Sequence, residues 1–327
     1  MKKSVKGIIA LCLVVILVGT LFAACSPKEE ENKVYQIGVI QLMDHEALNA
    51  ATEGFVAAIY DKIGRENVKI DIQNGQEQYD NCVVIANQFV SKGVDPIMAN
   101  ATPALQAASA ATASIPIVGT SITEYGVALD KALVDGKTGI NVTGTSDLPP
   151  LDQQAAMVPA ILDDIRTVGI IYCSSEPNSK YQADEVKRNL DEMGIAATIY
   201  TFENSNELQT IVQKAVAENE ALYVPTDNTA AKYTDIVDAV ARPARIPVFA
   251  GEEGICRGCG IVTLSIKYYD IGYQAGLMAA EILLEGKDPA DMAIAYAPEF
   301  TKEYNPVICE ELGIPIPEDY VALDVAE

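Results

Sequence analysis

The side chains that could do chemistry in this 327-residue chain are mainly small hydroxyl, amide and carboxylate groups. His45 is the only histidine, so any catalytic triad that needs an imidazole base must be built on it. The sequence contains no GxSxG or HExxH motif and no phosphate-cradling glycine loop. We therefore expect no catalytic residues, no enzymatic activity and no cofactor.

Two of the cysteines form an isolated CxxC pair, Cys256-Arg257-Gly258-Cys259. A structural zinc site needs four ligands, and His45 and scattered cysteines are the only other candidates that the chain offers. No metal site is therefore expected. The pair could be ordinary loop thiols, a local disulfide, or less readily a redox or metal centre, and the spacing alone leaves these alternatives open.

The first 25 residues have the layout of an export signal. Lys2, Lys3 and Lys6 precede an uncharged apolar run, and small residues stand directly before Cys25. This order resembles a bacterial lipoprotein signal peptide, so we expect residues 1–24 to be removed and Cys25 to be lipidated. The alternative is an uncleaved membrane anchor, because the apolar run is nearly long enough to span a bilayer. Both interpretations place the rest of the chain outside the cytoplasm, tethered to the cell membrane.

The charge of the chain excludes whole classes of partner. It carries 23 Lys and Arg against 46 Asp and Glu, and the net charge of −23 becomes more negative once the leader lysines are removed. Such a chain repels nucleic acid and anionic lipid surfaces, so no nucleic-acid partner is expected. Residues 25–33, which include three consecutive glutamates, are predicted to be a lipidated, flexible tether. The folded part is expected to be a monomer.

Short β-branched runs alternate with helical patterns from Val34 onward, and the same order occurs twice. A βαβαβαβ order indicates a parallel sheet covered by helices on both faces. The predicted strands are 35–40, 68–72, 95–99 and 115–120 in the first set, and 167–172, 196–201, 221–225 and 246–250 in the second. The sequence therefore predicts an α/β protein with two similar doubly wound parallel-sheet lobes joined by a hinge.

The lobe boundaries follow from where each set of strands ends. We place the first lobe at residues 34–145 plus about 255–290, and the second at residues 146–254 plus about 291–327. The run 139–146 is predicted to be a strand or crossover that leaves the first lobe. Residues 270–284 are predicted to form an amphipathic helix, because their apolar residues share one helical face.

Small polar residues follow nearly every predicted strand. The carboxyl ends of parallel strands form the ligand crevice of open α/β sheets, so this pattern predicts a polar small-molecule site between the lobes. These residues include Asp44, His45, Glu46, Asn100, Thr102, Ser121 and Thr123 in the first lobe, and Ser174, Ser175, Glu176, Asn178, Asn204, Asp227, Asn228, Glu252 and Glu253 in the second. Ser, Thr, Asn and Asp are also favoured at helix N-caps, so capping is the alternative role.

Two of these positions are more informative than the others. Asp227 lies between Thr226 and Asn228 at the end of an apolar strand, where a buried carboxylate needs a cation or several donors. His45 lies between two acids just before a predicted helix. Its ring could pair with a carboxylate near the helix cap, or it could pack against a ligand in the crevice.

Several segments together resemble the extracytoplasmic solute-binding proteins of ABC importers, and among these the group for aromatic amino acids such as tryptophan and tyrosine. The segments are IGVIQLMDHEAL (37–48), VKIDIQN (68–74), ATPALQA (101–107), NVTGTSD (141–147), SSEPN (174–178), YVPTDNT (223–229) and EEG (252–254). The resemblance runs from Tyr35 to about Ile316. It implies a fold like that of type I periplasmic binding proteins, with two lobes and three crossovers that close on a ligand.

The resemblance also implies how a zwitterionic amino acid would be held. Its ammonium group needs an anion, for which Asp227 is the first candidate and Glu253 the second. The candidate donors to its carboxylate, aided by helix amino ends, are Thr102, Ser121, Ser174 and Ser175. His45 would face the ligand side chain, and Glu46 stands where this group is expected to have proline, so that an extra acid beside the pocket could favour a more polar ligand. The remaining candidates are Asn178 and Asn228.

The function that the resemblance implies is capture of an amino-acid-like solute and its delivery to a membrane permease and its ATPase. Tryptophan, tyrosine and phenylalanine are the expected ligands. One alternative is a ligand-sensing protein for a membrane receptor. Another is an importer component for a purine, a sugar or a branched-chain amino acid. An extracytoplasmic enzyme is disfavoured because the sequence shows no nucleophile–base pair.

Overall fold

The computed structural model describes residues 33–325. The predicted leader 1–24, the lipidation site Cys25 and nearly all of the tether lie outside the described residues. From Tyr35 onward, the described chain forms one compact unit built on two β-sheets. None of the helices in this part combines the length and the apolar character that crossing a bilayer requires.

The two sheets take their strands from different parts of the chain. The first sheet contains β1 (Tyr35–Gln41), β2 (Val68–Asn74), β3 (Ile97–Asn100), β4 (Ile117–Ile122), β5 (Val142–Ser146) and β11 (Ala295–Tyr296), in the spatial order β11-β5-β4-β3-β1-β2. The second contains β6 (Thr167–Cys173), β7 (Ala196–Phe202), β8 (Ala221–Val224), β9 (Val248–Ala250), β10 (Val262–Ser265), β12 (Thr301–Tyr304) and β13 (Val321–Ala322), in the order β13-β12-β10-β9-β8-β6-β7.

Helices connect the strands and cover the sheets. Those of the first half are α1 (Glu46–Ile63), α2 (Tyr79–Lys92), α3 (Thr102–Ala111), α4 (Tyr125–Leu129), α5 (Leu151–Ile161) and α6 (Pro177–Glu192). Those of the second half are α7 (Ser205–Glu218), α8 (Asn228–Lys232), α9 (Thr234–Ala241), α10 (Glu253–Gly258), α11 (Tyr268–Glu285) and α12 (Pro306–Leu312).

Strand pairing confirms the predicted fold class. Every pairing within the first sheet is parallel, and so are the pairings from β7 through β6, β8 and β9 to β10 in the second. The pairing of β12 with β10 is antiparallel, and β13 pairs parallel with β12, so these two edge strands run against the rest of the second sheet. Each sheet with its helices is one lobe, so the two similar parallel-sheet lobes predicted from the sequence are present.

The chain passes between the lobes at three places. Residues 147–150 lie between β5 and α5, residues 266–267 between β10 and α11, and residues 297–300 between β11 and β12. The last two differ from the boundaries at about 255 and 291 predicted from the sequence. The reason is that β10 continues the second sheet beside β9, whereas β11 extends the first sheet beside β5.

The central strands of both sheets are buried on both faces. Every side chain of β3, β4, β8 and β9 is buried. In the sequence, such strands consist mainly of apolar residues, because helices cover both faces of a parallel sheet. The sheets are therefore rigid supports that hold the loops at their carboxyl ends in fixed positions.

Glycines allow α1 and α11 to pack against each other very closely. A Cβ on Gly54 would lie 2.1 Å from a backbone oxygen of α11, and one on Gly272 would lie 2.0 Å from a backbone oxygen of α1. Neither position could carry a larger side chain without moving a helix. His45 directly precedes α1 and Tyr268 begins α11, so this packing fixes the positions of two side chains at the ends of the helices.

One predicted helix is broken in two. The sequence predicts a single helix over 230–241, but α8 and α9 are separated at Tyr233, whose φ of −117° and ψ of 41° are not helical. The Tyr233 hydroxyl donates to Glu77 Oε1 of the first lobe at 3.0 Å. The break therefore lets residue 233 make a contact between the lobes.

Candidate functional site

A narrow cavity lies between the two lobes, at the carboxyl ends of their strands. Its lining residues are His45, Ala47, Leu48, Ser121, Asp147, Thr226, Asp227, Asn228, Ala231, Glu252 and Tyr268. Five of the strand-end residues named from the sequence are among them: His45, Ser121, Asp227, Asn228 and Glu252. The others were predicted at nearby positions or were missed.

Asp147 is the carboxylate of the cavity that has an unused oxygen. It follows β5 directly, in the first crossover, and it is almost fully buried. Tyr268 donates its hydroxyl to Asp147 Oδ2 at 3.0 Å, whereas Oδ1 has no hydrogen-bond partner among the described residues. Burial raises the pKa of Asp147 to about 6, against an ordinary value of 3.8. This group would be stabilised by a cation within contact distance.

Asp227 also lines the cavity, but its oxygens are used by the backbone. It is the N-cap of α8, with Oδ1 accepting from Ala230 N at 2.8 Å and Oδ2 from Cys173 N at 2.7 Å. Burial, and then the nearby charge of Glu176, raise its pKa to about 8. The sequence left capping and ligand contact as alternatives for this residue type, and the structure shows that Asp227 is a cap.

Glu252 is the third acid of the cavity, and it too is a cap. It accepts from Gly254 N at 2.7 Å and Ile255 N at 2.5 Å at the start of α10. Burial raises its pKa to about 7. Neither lysine nor arginine is among the described residues that line the cavity. Three buried acids without a lining cation make the cavity suited to a positively charged group.

Two buried hydroxyls without partners lie at neighbouring strand ends in the first lobe. Ser121 is the penultimate residue of β4, and Thr102 begins α3 just after β3. Neither hydroxyl has a hydrogen-bond partner within the described chain. Ser121 has φ of 55°, and Ala101, before Thr102, has φ of 87°. Positive φ costs a non-glycine residue of order 1–3 kcal/mol, and such strain is typical of binding sites. Both hydroxyls were predicted from the sequence as donors, although only Ser121 lines the cavity.

His45 reaches across the cavity to the second lobe. Its Nε2 lies 3.2 Å from Asn228 Oδ1. Loss of hydration in this position lowers the pKa of His45 to about 4. The imidazole is therefore neutral at physiological pH, and it carries one hydrogen-bond donor and one acceptor.

Ser174 and Ser175 lie in a second, outer cavity rather than with Ser121. They line it together with Glu77 and Tyr79 of the first lobe. The Ser174 hydroxyl donates to the carbonyl oxygen of Phe202 at 3.2 Å, and Ser175 Oγ lies 3.1 Å from Cys173 Sγ. The structure thus separates these two predicted donors from the predicted anion site.

Three further predicted residues take part in structural contacts. Arg257 Nη2 lies 3.1 Å from Glu46 Oε1 across the lobes, and the same group pairs with Glu253 within α10. Asn178 donates to the Thr226 carbonyl oxygen at 3.2 Å. Glu46, Glu253 and Asn178 are not among the residues that line the inner cavity. Glu252, next to Glu253 in the sequence, occupies the cavity instead.

Three residues of the cavity, Asp147, Glu252 and Tyr268, were not chosen as ligand contacts from the sequence, and they differ in whether a local sequence pattern could have identified them. Asp147 is the last residue of the segment NVTGTSD (141–147) and follows a strand, so the strand-end rule could have selected it. Glu252 was named at a strand end, but its neighbour was chosen. Tyr268 had no local signal, because it begins a helix whose other apolar residues pack in the core.

The cysteines are buried free thiols in the part of the chain that the structure describes. These are Cys82, Cys173, Cys256, Cys259 and Cys309. Burial raises the pKa of the Cys309 thiol to about 12 and those of Cys256 and Cys259 well above their ordinary value. Such thiols are unreactive. Among the described residues no cluster of Cys, His, Asp and Glu has the arrangement of a metal site.

Contacts between the lobes surround the cavity. Lys232 forms an ion pair with Glu77, which also accepts from the Tyr233 hydroxyl. Gln182 Nε2 donates to Thr123 Oγ1 at 3.1 Å. With the His45–Asn228 contact, these bonds hold the two lobes in a closed arrangement.

Comparison with known proteins agrees with this geometry. Residues 36–325 match the family described as ABC transporter substrate binding protein. A curated "Tyrosine-binding protein" of Clostridioides difficile (strain R20291) is 34% identical over 308 residues, which are 90% of this chain and 88% of that protein.

Two solved structures show the same fold. A Streptococcus pneumoniae protein in complex with L-Trp is 29% identical, with a TM-score of 0.83 and coverage of 87% of this chain and 96% of that one. The ligand-free, open structure of a Clostridium difficile substrate binding protein with adhesive properties is 34% identical, with a TM-score of 0.69 and coverage of 90% and 100%. The lower score against the open structure, despite its higher identity, agrees with the closed lobes observed here.

These matches extend over nearly the whole described chain. They account for the two parallel-sheet lobes, the crossovers and the cavity between them. Proteins of this kind are extracytoplasmic and bind solutes rather than transform them. The chain belongs to the family of ABC transporter substrate-binding proteins.

Proposed function

We propose that this protein is the solute-binding component of an ABC importer and that its ligand is an aromatic amino acid, with L-tyrosine as the first candidate. It would capture the ligand between the lobes as a monomer and deliver it to the membrane permease and its ATPase. The names of the C. difficile relative and of the L-Trp complex support this ligand class. The structural observation that supports the proposal most strongly is a carboxylate oxygen in the cavity.

That observation is the unused, buried oxygen of Asp147. A buried carboxylate oxygen without a donor is unfavourable, and an amino acid's ammonium group would supply both charge and hydrogen bonds. Asp227 and Glu252 add negative charge to the same cavity without offering an equally free oxygen. Asp147 is therefore our choice for the ammonium partner, with Asp227 in a supporting electrostatic role.

The carboxylate of the ligand shares its Cα with the ammonium group, and the first lobe offers candidate donors for it. We assign this carboxylate to the free hydroxyls of Thr102 and Ser121, near the amino end of α3, where the helix dipole favours negative charge. Leu48 and Ala231 provide apolar contact for the side chain. The remaining candidates would then stabilise the closed lobes rather than contact the ligand. They are Ser174, Ser175, Asn178, Glu46 and Glu253.

Lipidation of Cys25 would hold the protein beside its permease. A lipid at Cys25 and the short acidic tether place the binding lobes near the membrane surface. The mass of the amino-terminal peptide tests this assignment, since a lipidated Cys25 must be its first residue. An intact leader in the mature protein would contradict it.

A ligand panel tests the function. A ligand that binds only the folded protein stabilises it by about 2.7 kcal/mol at a concentration of 100 Kd. L-Tyrosine, L-tryptophan or L-phenylalanine should therefore raise the unfolding temperature by several degrees, whereas leucine, purines and sugars should not. A response only to purines or sugars would refute the aromatic assignment. Chemical turnover of a bound ligand would refute the assignment as a binding protein.

A further inference from the structure

The buried carboxylate of Glu176 fixes the orientation of a neighbouring amide. Its Oε1 accepts from Thr229 N and Oγ1, at 3.0 and 2.9 Å. Its Oε2 accepts from Asn228 N at 3.0 Å, from Asn228 Nδ2 at 2.5 Å and from Asn178 Nδ2 at 3.3 Å. Glu176 is surrounded by donors and acts only as an acceptor. Asn228 must therefore turn its NH₂ group towards Glu176.

The orientation of Asn228 in turn fixes the proton on His45. With Nδ2 at Glu176, the amide oxygen of Asn228 is the atom that faces His45 Nε2, at 3.2 Å. An amide oxygen can only accept, so the imidazole proton must be on Nε2. The ring is neutral because its loss of hydration lowers the pKa of His45 to about 4. His45 Nδ1 is thus left with a lone pair that can accept a hydrogen bond.

Nothing in the described chain uses this lone pair. His45 is the N-cap residue of α1, but its side chain makes no capping hydrogen bond. The ring lines the cavity beside Leu48 and Ala231. The cavity therefore contains one neutral acceptor, held in a single tautomer, in a lining that also includes apolar side chains.

We propose that His45 Nδ1 accepts a hydrogen bond from the aromatic side chain of the ligand, with Asn228 and Glu176 as residues that position the imidazole. This inference rests on the proposed function and deepens it, because it selects among aromatic amino acids. The phenol O–H of tyrosine and the indole N–H of tryptophan are donors. Phenylalanine has no donor, and its binding would cover this acceptor without pairing it.

The test compares the affinity of the full-length protein for L-tyrosine and L-phenylalanine by calorimetry. An unpaired buried acceptor costs enough to weaken phenylalanine binding about ten- to hundredfold relative to tyrosine. His45→Leu should reduce this ratio to within about threefold, mainly by weakening tyrosine. Asn228→Ala, which frees the ring to change tautomer, should also reduce it.

The outcomes separate this inference from the function on which it rests. A tyrosine to phenylalanine ratio near one in the wild type, or one unchanged in His45→Leu, would overturn the role of His45. Equal weakening of both ligands by His45→Leu would also overturn it, because the ring would then contact a group common to both. Failure of the wild type to bind any amino acid would refute the proposed function itself.

A second measurement does not depend on any variant folding. His45 is the only histidine of the chain, so ¹⁵N NMR of untagged protein reports a single imidazole. We expect the Nε2–H tautomer in the free protein, and a shift of the Nδ1 resonance on addition of tyrosine that phenylalanine does not produce. A proton on Nδ1, or identical shifts with both ligands, would contradict the proposal.

Discussion

Two aspartates of the same cavity have different roles because their backbone surroundings differ. Asp227 begins a helix and meets two backbone N–H groups, so its negative charge is balanced by donors of its own chain. Asp147 lies in a crossover, outside any helix, where the Tyr268 hydroxyl donates to Oδ2 and Oδ1 has no hydrogen-bond partner among the described residues. Residue type and burial are alike in the two cases. The distinction therefore comes from the number of donors, and it determines which group is free for a ligand.

Asp147→Asn should weaken L-tyrosine binding while preserving the fold. The amide keeps the shape of the side chain but removes the charge, and a hydrogen bond to a charged group contributes roughly 1.5–3 kcal/mol. We expect the Kd to rise about tenfold to a hundredfold by calorimetry. The unfolding temperature of the unliganded variant should not fall, since a buried charge is lost. Asp152→Asn, on the exposed start of α5, is the matched control and should change neither value.

Asp227→Ala should affect stability as well as binding, in contrast to Asp147→Asn. It would leave the backbone N–H groups of Cys173 and Ala230 without their acceptor, at about 1–3 kcal/mol for each buried group. The unfolding temperature should therefore fall clearly, and binding should weaken along with it. If Asp227→Ala abolished binding without loss of stability, and Asp147→Asn had no effect, the ammonium group would have to be assigned to Asp227.

At the scale of secondary structure elements, the short helix α8 joins the cavity to the outer contact between the lobes. Its N-cap Asp227 faces the cavity, and its last residue, Lys232, pairs with Glu77. Glu77 lies in a turn after β2 in which both Gln76 and Glu77 have positive φ, at 51° and 67°. This strained turn brings the carboxylate of Glu77 to the second lobe.

Glu77→Gln should speed ligand release. The ion pair with Lys232 is partly exposed, at 24% and 31%, and such pairs contribute about 0.2–1 kcal/mol. We therefore expect dissociation to become roughly twofold to fivefold faster, with less effect in high salt. The chain has no tryptophan, so release of fluorescent L-tryptophan can be followed by stopped flow without background from the protein.

The control for this element is an ion pair of the same exposure that does not cross the lobes. Asp238 and Arg242 are such a pair, within α9 and its end, at 25% and 28% exposure. Asp238→Asn should leave the release rate of L-tryptophan unchanged. Equal effects of the two substitutions, or no effect of Glu77→Gln, would show that the Glu77–Lys232 contact does not hold the lobes closed.

The sequence predicted the positions of the strands and helices better than it predicted which sheet each later strand joins. Strands β1 to β4 and β6 to β9 were found within a few residues, because buried parallel strands appear as short apolar runs between helical patterns. The break at Tyr233 was missed because the apolar pattern continues through it. The lobe boundaries predicted at about 255 and 291 differ from the pairing of β10 and β11, because a short apolar run carries no information about which sheet it joins.

The candidate site was predictable only in part, for the same reason. The strand-end rule selected His45, Ser121, Asp227, Asn228 and Glu252, which line the cavity, because it uses local order alone. It could not show that Asp227 is satisfied by N–H groups, one of them distant in sequence. Nor could it bring Tyr268 to Asp147, since these residues lie 121 positions apart and meet only through the packing of α11.

At the scale of the whole molecule, the protein is strongly acidic and also buries three acidic side chains in the cavity between its closed lobes. Asp147, Asp227 and Glu252 are each buried with a raised pKa. A raised pKa means that folding favours the protonated acid, so ionisation of these groups opposes the closed fold. A cationic ligand group would offset this cost. Stability and binding are therefore expected to depend on pH in opposite directions.

The stability of the unliganded protein should fall as the pH rises from 6.5 to 8. In this window the folded protein retains protons on Glu252 (pKa about 7) and Asp227 (pKa about 8) that the unfolded chain has already lost, so the free energy of unfolding decreases with pH. Glu303, with a pKa of about 7, acts in the same direction. His45 has the opposite sign, but half of its protons in the unfolded chain are already lost at pH 6.5, the ordinary pKa of histidine, so only a small further contribution remains above that pH.

Unfolding temperatures at pH 6.5 and 8.0, with and without saturating L-tyrosine, measure this effect. The decrease should be smaller with ligand, because the ammonium group favours the ionised carboxylates, and the affinity for tyrosine should rise over the same interval. Glu303→Gln, outside the cavity, should preserve the difference between the free and bound protein. A rise in the unfolding temperature of the free protein with pH would contradict the prediction, and an equal decrease with ligand would show that no cationic group reaches the buried acids.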